Sequence, residues 1–177
     1  MTDFKARLYL DWDGVVNADK PRFDDADSFL FPKKKGRGLK ETHKFTYSPT
    51  VVNTLDRFRT EYDVELVWNS TWNENLDILR VAEKLGALDD GRVLPAVINR
   101  YVDTNRQWTQ WKADALLADQ RGDALPFAWV DDMALEFHGK DVVTATTGTH
   151  SLLVEPREYW GITQAHLDNM EKFFASL

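Results

Sequence analysis

The sequence predicts a three-layer α/β/α domain with a parallel central sheet. Short apolar runs of strand-forming residues alternate along the chain with segments whose apolar residues recur at helical spacing. Strands separated by helices in this way form right-handed crossovers, which make the strands parallel. Several of the predicted strands also end in polar side chains, as expected where the carboxyl ends of parallel strands build a ligand site.

Composition and charge narrow the possible functions. The chain has 177 residues, of which 43% are hydrophobic and 29% charged, so we expect one domain over residues 1–177 with its own core. A net charge of −7 argues against a non-specific nucleic-acid coat protein, so any contact with a polyanion must be local. The absence of cysteine excludes disulfides, thiolate metal sites and cysteine nucleophiles.

The start of the chain leads directly into a strand. We see no signal peptide and no long apolar span, and therefore expect a cytoplasmic protein without a membrane partner. Residues 6–11 are predicted to form a buried strand that stops abruptly at Asp11.

The segment 18–47 lacks helical periodicity. Strand-like patches at 28–31 and 42–47 flank a glycine-containing turn, which predicts a β-hairpin flap over the end of the first strand. The stretch 33–44 is rich in lysine and arginine. These cations either steer a phosphate-rich substrate or simply form a solvated loop.

The helices and the remaining strands follow in order. Ser48-Pro49 is a good helix start, because serine caps a helix and proline fits its first turn. The predicted helices are 49–62, 74–85, 107–119 and a last one from near Thr163, with a short helix or turn over 133–137. The predicted strands are 64–68, 126–130, 141–145 and 151–154, with a further short strand at 93–94 or 96–98.

Side chains with catalytic potential follow these strands. Asp11 and Asp13 lie one residue apart and point the same way if the strand geometry persists. Two carboxylates this close require a cation or a shared proton, and Mg²⁺ prefers such oxygen ligands. Ser70 follows the second sheet strand, and we expect Lys112 near the start of a helix. A hydroxyl at a strand end and a lysine at a helix start are together suited to bind phosphate.

The order of these motifs resembles the haloacid dehalogenase-like (HAD) superfamily of phosphotransferases. Motif one is Leu-Asp-Trp-Asp-Gly-Val at 10–15, and motif four is Trp-Val-Asp-Asp at 129–132. The hydroxyl of motif two is Ser70 or, one position later, Thr71. For motif three we prefer Lys112 to Lys84, because it lies closer to motif four and is expected to begin a helix.

The resemblance implies a Rossmann-like fold and a role for each motif residue. Asp11 would attack the phosphorus, and Asp13 would serve first as general acid and then as general base. Asp11, Asp131 and the backbone carbonyl of Asp13 would hold Mg²⁺. The remaining implied roles are phosphate binding by Ser70 or Thr71 with Lys112, orientation of Lys112 or a metal-bound water by Asp132, and support from Gly14 and Asn69.

The resemblance also implies the activity and the kind of substrate. We expect a Mg²⁺-dependent phosphoester hydrolase that forms an aspartyl-phosphate. The segment 18–47 and the segment between Ser70 and Lys112 are too short for a cap domain, so the site should be open. The expected substrate is a phosphorylated small molecule, a nucleotide or a polynucleotide end. The alternative is a catalytically silent module that binds phosphate or nucleic acid on the same scaffold.

Residues near the motifs leave further alternatives open. Trp68, Trp72, Trp108 and Trp111 either stack on nucleobases or fill the core. Asn17, like Asn69, either donates a hydrogen bond at the site or is a turn residue.

Overall fold

The computed structural model describes residues 4–34 and 40–177. Its strands are β1 (Ala6–Leu10), β2 (Asp27–Lys34), β3 (Lys40–Tyr47), β4 (Val64–Trp68), β5 (Arg92–Val93), β6 (Phe127–Val130) and β7 (Ser151–Val154). Its helices are α1 (Pro49–Glu61), α2 (Asp77–Leu85), α3 (Asn105–Gly122), α4 (Ala134–Ala145) and α5 (Gln164–Ala175), and a 3₁₀ helix spans Thr71–Leu76.

Five parallel strands form the central sheet in the order β5-β4-β1-β6-β7. β1 lies in the middle and pairs with β4 on one side and β6 on the other, and all five of its residues are buried. The residue that follows β1 therefore emerges at the centre of the carboxyl edge.

Helices cover both faces of this sheet. On one face, the even-numbered residues of β1 pack against α1, α2 and α5. On the other face, Tyr9 of β1, Val67 of β4, and Phe127 and Trp129 of β6 pack against α3 and α4. The predicted three-layer Rossmann-like fold is thus confirmed.

Strands β2 and β3 form the predicted hairpin flap. They pair antiparallel from Asp27 opposite Tyr47 to Lys34 opposite Lys40. Phe31 and Phe45 are 1% and 2% exposed, so the flap contributes to the core beside the first strand. Residues 35–39 of the basic 33–44 stretch, with Lys35 and Arg37, lie outside the part of the chain that is described.

One predicted strand was wrong, and some predicted helix bounds differ from those in the structure. Residues 141–145, with their adjacent valines, suggested a strand but form the end of α4. There Val142 is buried and Val143 is 40% exposed, as expected on a helix with one buried face. Helix α3 begins earlier than predicted, because Thr104 caps it by accepting a hydrogen bond from the Gln107 backbone N–H (3.2 Å).

Within the described ranges, no helix is both long enough and apolar enough to cross a membrane.

Candidate active site

Three neighbouring strands bring the predicted motif residues together. Asp11 follows β1, and its backbone N–H donates to Val130 O at the end of β6 (3.1 Å). Asn69 follows β4 and donates its backbone N–H to Leu10 O (2.9 Å). Asp131 follows β6. The chain ends of three paired strands therefore converge on one point of the carboxyl edge.

Three carboxylates meet at this point. Oxygen atoms of Asp11, Asp131 and Asp132 lie within 4.8 Å of one another. Asp11 and Asp131 are buried, and Asp132 is half-buried. An all-oxygen set of this kind is suited to a hard divalent cation such as Mg²⁺, which favours carboxylate ligands and retains water.

The Lys112 ammonium lies among these acids. It donates to Asp11 Oδ2 and to Asp131 Oδ2, the latter at 2.6 Å. The other oxygen of Asp131 accepts from the backbone N–H groups of Met133 (3.0 Å) and Ala134 (2.6 Å) at the start of α4. Asp131 is thus fixed by a helix start on one side and by a cation on the other.

The local electrostatics shift the proton affinities of this cluster. Burial raises the pKa of Asp11 to about 6, although Lys112 opposes the shift. Burial, together with the charges of Asp11 and Asp131, raises the pKa of Asp132 to about 7. Burial disfavours the Lys112 ammonium, but the two adjacent carboxylates outweigh it and raise the pKa of Lys112. The lysine is therefore charged at neutral pH.

The position of Lys112 corrects the sequence-based expectation. It lies in the middle of α3, not at its start, so the helix dipole adds little at this residue. Asn69 Nδ2 donates to the Lys112 backbone carbonyl (3.1 Å) and ties α3 to the end of β4. Lys84, the other candidate, is exposed near the end of α2.

Ser70 rather than Thr71 contacts the acid cluster. Ser70 is fully buried, and burial raises the pKa of Asp11 while the hydrogen bond from the Ser70 hydroxyl partly offsets that rise. The same hydroxyl accepts from the backbone N–H of Trp72 (3.3 Å), which caps the 3₁₀ helix. Thr71 is the first residue of that helix and is half-buried.

The Asp13 carboxylate lies apart from the three clustered acids. It is exposed, and its two oxygens accept from Asn17 Nδ2 and from Trp72 Nε1, each at 2.7 Å. Asn17 in turn accepts from the backbone N–H of Thr46 on the flap (2.9 Å). The carboxylate is thus held in one orientation by two donors.

Trp72 connects Asp13 to the flap, and the sequence analysis did not predict this connection. Its ring makes edge-to-face contacts with Phe31, His43 and Phe45 of the flap, at centroid distances of 5.7, 5.0 and 5.0 Å. Lys33 Nζ lies 3.9 Å from the centre of the same ring. The sequence places Trp72 beside motif two, but nothing in the pattern predicts that its N–H reaches Asp13.

The other tryptophans near the motifs mostly belong to the core. Trp12 and Trp68 are fully buried, with ring centroids 6.5 Å apart, and Trp111 is 7% exposed. Of the tryptophans considered for base stacking, Trp68 and Trp111 are buried and belong to the core in this conformation, whereas Trp108 is half-buried.

Gly14 forms the turn beside the acid cluster. Its φ of +70° is in the left-handed region that favours glycine. A Cβ at this position would lie 2.2 Å from Asp132 Oδ2. Glycine therefore permits both the turn after motif one and the close approach of Asp132.

Comparisons with known proteins agree with this geometry. A search of curated proteins found no match. A family model does match, and it covers residues 7–167, which include the whole carboxylate cluster, Ser70, Lys112 and both flap strands. By that match the chain belongs to the family described as the HAD domain in Swiss Army Knife RNA repair proteins, and it is a hydrolase of the HAD type.

Proposed function

We propose that this domain is a Mg²⁺-dependent phosphoester hydrolase that works through an aspartyl-phosphate on Asp11. The observation that carries the proposal is the cluster of Asp11, Asp131 and Asp132, the first two of which also contact the Lys112 ammonium. A structural ion pair would need one carboxylate for one lysine. Three acids around one buried cation leave negative charge that a divalent cation would balance.

Asp11, Asp131 and Asp132 are the side chains that would hold Mg²⁺, with the backbone carbonyl of Asp13 as the further ligand implied by the family resemblance. A cation here would offset the negative charge of the nucleophile and of the phosphoryl group. The carboxylate of Asp13 is engaged by Asn17 and Trp72 and serves a different purpose.

Asp11 is the nucleophile. Its carboxylate oxygen forms a bond to phosphorus while the bond from phosphorus to the leaving oxygen breaks, giving an acyl phosphate that water then hydrolyses. Backbone hydrogen bonds fix its position: it lies at the end of a fully buried central strand, and its Oδ1 accepts from the Trp12 backbone N–H (2.7 Å). A nucleophile fixed in this way loses little freedom on reaction.

Asp13 moves the protons. It gives a proton to the leaving oxygen and then takes one from the hydrolytic water, so its exposure to solvent suits both steps. The donors Trp72 and Asn17 hold the carboxylate beside the nucleophile loop.

Lys112 and Ser70 bind the phosphoryl oxygens. An ammonium has three donors, and Lys112 uses two of them on Asp11 and Asp131, which leaves one for the substrate. Donors already fixed in place before the reaction stabilise the charge of the transition state most effectively. Thr71, the first residue of the 3₁₀ helix, is the alternative hydroxyl.

The substrate we propose is a phosphorylated polynucleotide end or a nucleotide. The matching family is named for RNA repair proteins, and Lys33 of the flap lies over the ring of Trp72, whose N–H contacts Asp13. The flap is a two-stranded hairpin rather than a cap domain, which leaves the site accessible to a long chain.

The test is a phosphoester panel assayed with and without Mg²⁺. It contains a generic aryl phosphate, sugar phosphates, nucleotides, and oligonucleotides with a 3′- or 5′-phosphate. We expect turnover that depends on Mg²⁺ and is abolished in Asp11→Asn, while Asp19→Asn, an exposed aspartate on the following loop, serves as the matched control. A beryllium fluoride adduct on Asp11 should form in the wild type.

Two outcomes would overturn parts of this proposal. Activity that survives Asp11→Asn would remove the nucleophile assignment. Turnover of sugar phosphates without any turnover of nucleotides or oligonucleotides would reject the substrate class but leave the reaction class intact.

A further inference from the structure

An exposed patch of stacked cations lies beside the candidate active site. It consists of Lys20, Arg22, Arg157, Tyr159 and Trp160, and we refer to it as the rim patch. The Arg22 guanidinium lies 3.7 Å and the Arg157 guanidinium 5.0 Å from the centre of the Trp160 ring. Lys20 Nζ lies 5.3 Å from the centre of the Tyr159 ring.

The rim patch is fixed to the loop that carries motif one. Ile162 donates its backbone N–H to Val15 O (2.9 Å), and Lys20 donates its backbone N–H to Tyr159 O (2.9 Å). Gly161 has a φ of +63°, and a Cβ there would lie 2.5 Å from Val15 O. The loop after β7 is therefore pressed against the residues that directly follow Asp13 and Gly14.

The arginines of the rim patch differ from most others in the described ranges. Arg57, Arg80 and Arg106 each have a carboxylate oxygen within 4 Å. Within residues 4–34 and 40–177, neither Arg22 nor Arg157 has such a partner; each stacks on Trp160 instead. In a chain of net charge −7, exposed cations without an acid partner are available to an anion from outside.

The stacking also favours a particular ligand. A guanidinium lying on an indole keeps its edge N–H groups free, and these groups match phosphate oxygens in pairs. Tyr159 is 44% exposed and offers an aromatic face, which stacks on any base. The exposed acids Asp19, Glu155 and Glu158 lie on the same two loops, so the patch offers individual hydrogen-bond donors and not a broad positive field.

We infer that the rim patch binds the sugar–phosphate backbone of a single-stranded polynucleotide whose terminal phosphate enters the active site. This inference rests on the proposed function, because it assigns the strand a direction away from Asp11. Nucleotides beyond the terminal one would then strengthen binding, in a way that a mononucleotide cannot.

The test compares substrates of increasing length. kcat/KM is measured for a mononucleotide and for single-stranded oligonucleotides of two, four and eight residues that carry the same terminal phosphate. In the wild type we expect kcat/KM to rise with length. In Arg22→Ala/Arg157→Ala we expect the longest substrate to lose about three- to tenfold while the mononucleotide is unchanged. The matched control is a double variant of equal charge change, Arg121→Ala/Arg106→Ala, on α3.

Binding is measured separately from turnover. Fluorescence anisotropy with an unphosphorylated eight-residue oligonucleotide is recorded at several salt concentrations. If two phosphate contacts are lost, the slope of log K against log salt should become smaller by about 1.4 in the rim-patch variant and stay unchanged in the control.

Each outcome has a distinct meaning. Turnover of the mononucleotide without any effect of length would overturn the rim patch and leave the proposed function standing. If no nucleotide or oligonucleotide is turned over, the proposed substrate class fails, and the anisotropy measurement alone tests whether the rim patch binds a polynucleotide. A phosphopeptide whose turnover drops in the rim-patch variant, with oligonucleotides unaffected, would overturn the assignment to polynucleotides.

Discussion

The hydrogen bond from Trp72 to Asp13 gives the sharpest prediction about the chemistry. Trp72→Phe removes the N–H donor, which lies 2.7 Å from Asp13 Oδ2, but keeps an aromatic ring against the flap. The variant should fold, because the ring fills most of the same space. What it loses is one of the two donors that orient the proposed general acid.

The size of the effect follows from the kind of bond. A hydrogen bond to a charged group contributes about 1.5–3 kcal/mol. Asp13 is exposed and Asn17 still holds its other oxygen, so we use the lower part of that range. About 1.5–2 kcal/mol corresponds to a loss of about 10- to 30-fold in rate.

The assay exploits the need for a proton on the leaving group. A p-nitrophenolate leaves without protonation, whereas a nucleoside or alkyl oxygen requires a general acid. We therefore expect kcat/KM of Trp72→Phe to fall by the full factor with a nucleoside phosphate and to change little with p-nitrophenyl phosphate. kcat/KM is the proper quantity, since it reports steps up to phosphoryl transfer and excludes the later hydrolysis.

A matched control separates this effect from general damage to the core. Trp129→Phe makes the same change at a fully buried tryptophan whose Nε1 has no hydrogen-bond partner among the described residues. It should leave the ratio of the two kcat/KM values as in the wild type. Equal losses on both substrates in Trp72→Phe, or no loss on either, would refute the positioning role.

Three further predictions concern stability and the architecture of the site. Gly14→Ala should lower the melting temperature and the activity together, because its Cβ would clash with Asp132 and the positive φ adds strain; a circular dichroism melt checks the first effect. Lys112→Met should destabilise the fold by about 3–5 kcal/mol in urea titrations at pH 7, because it leaves buried carboxylates without their cation, and by less at pH 5, where Asp11, whose pKa burial raises to about 6, takes up a proton. Burial alone would raise the pKa values of Glu65 and Asp119, but hydrogen bonds from arginines outweigh this effect and lower both pKa values. The contribution of the two carboxylates to stability should therefore be complete above about pH 5 and be lost as pH falls below about 4. A urea midpoint that does not change between pH 6 and pH 3 would contradict this prediction.

Much of the site was predictable because its residues follow strands directly. Asp11, Ser70 and Asp131 each come after a short apolar run, and parallel strands in one sheet bring such positions to a common edge. These assignments need only local patterns and one general rule of topology. The fold class follows from the same alternation of strands and helices.

The rest depends on tertiary contacts that local patterns do not contain. The hydrogen bond from the Trp72 indole to Asp13 joins residues that are far apart in the chain, and nothing in the sequence around Ser70 predicts it. The valine pair in α4 suggested a strand because β-branched residues favour strands, and only packing against the neighbouring helix decides otherwise.

The aromatic underside of the flap has a consequence for how substrates enter. Swinging the hairpin away would expose Phe31 and Phe45, and each would cost about 1.5–3 kcal/mol. An opened state costing about 3–6 kcal/mol would be populated by fewer than about one molecule in a hundred. The hairpin is therefore already packed on the core when a substrate arrives. Selection among substrates then depends on the shape and length of what fits beside the packed hairpin.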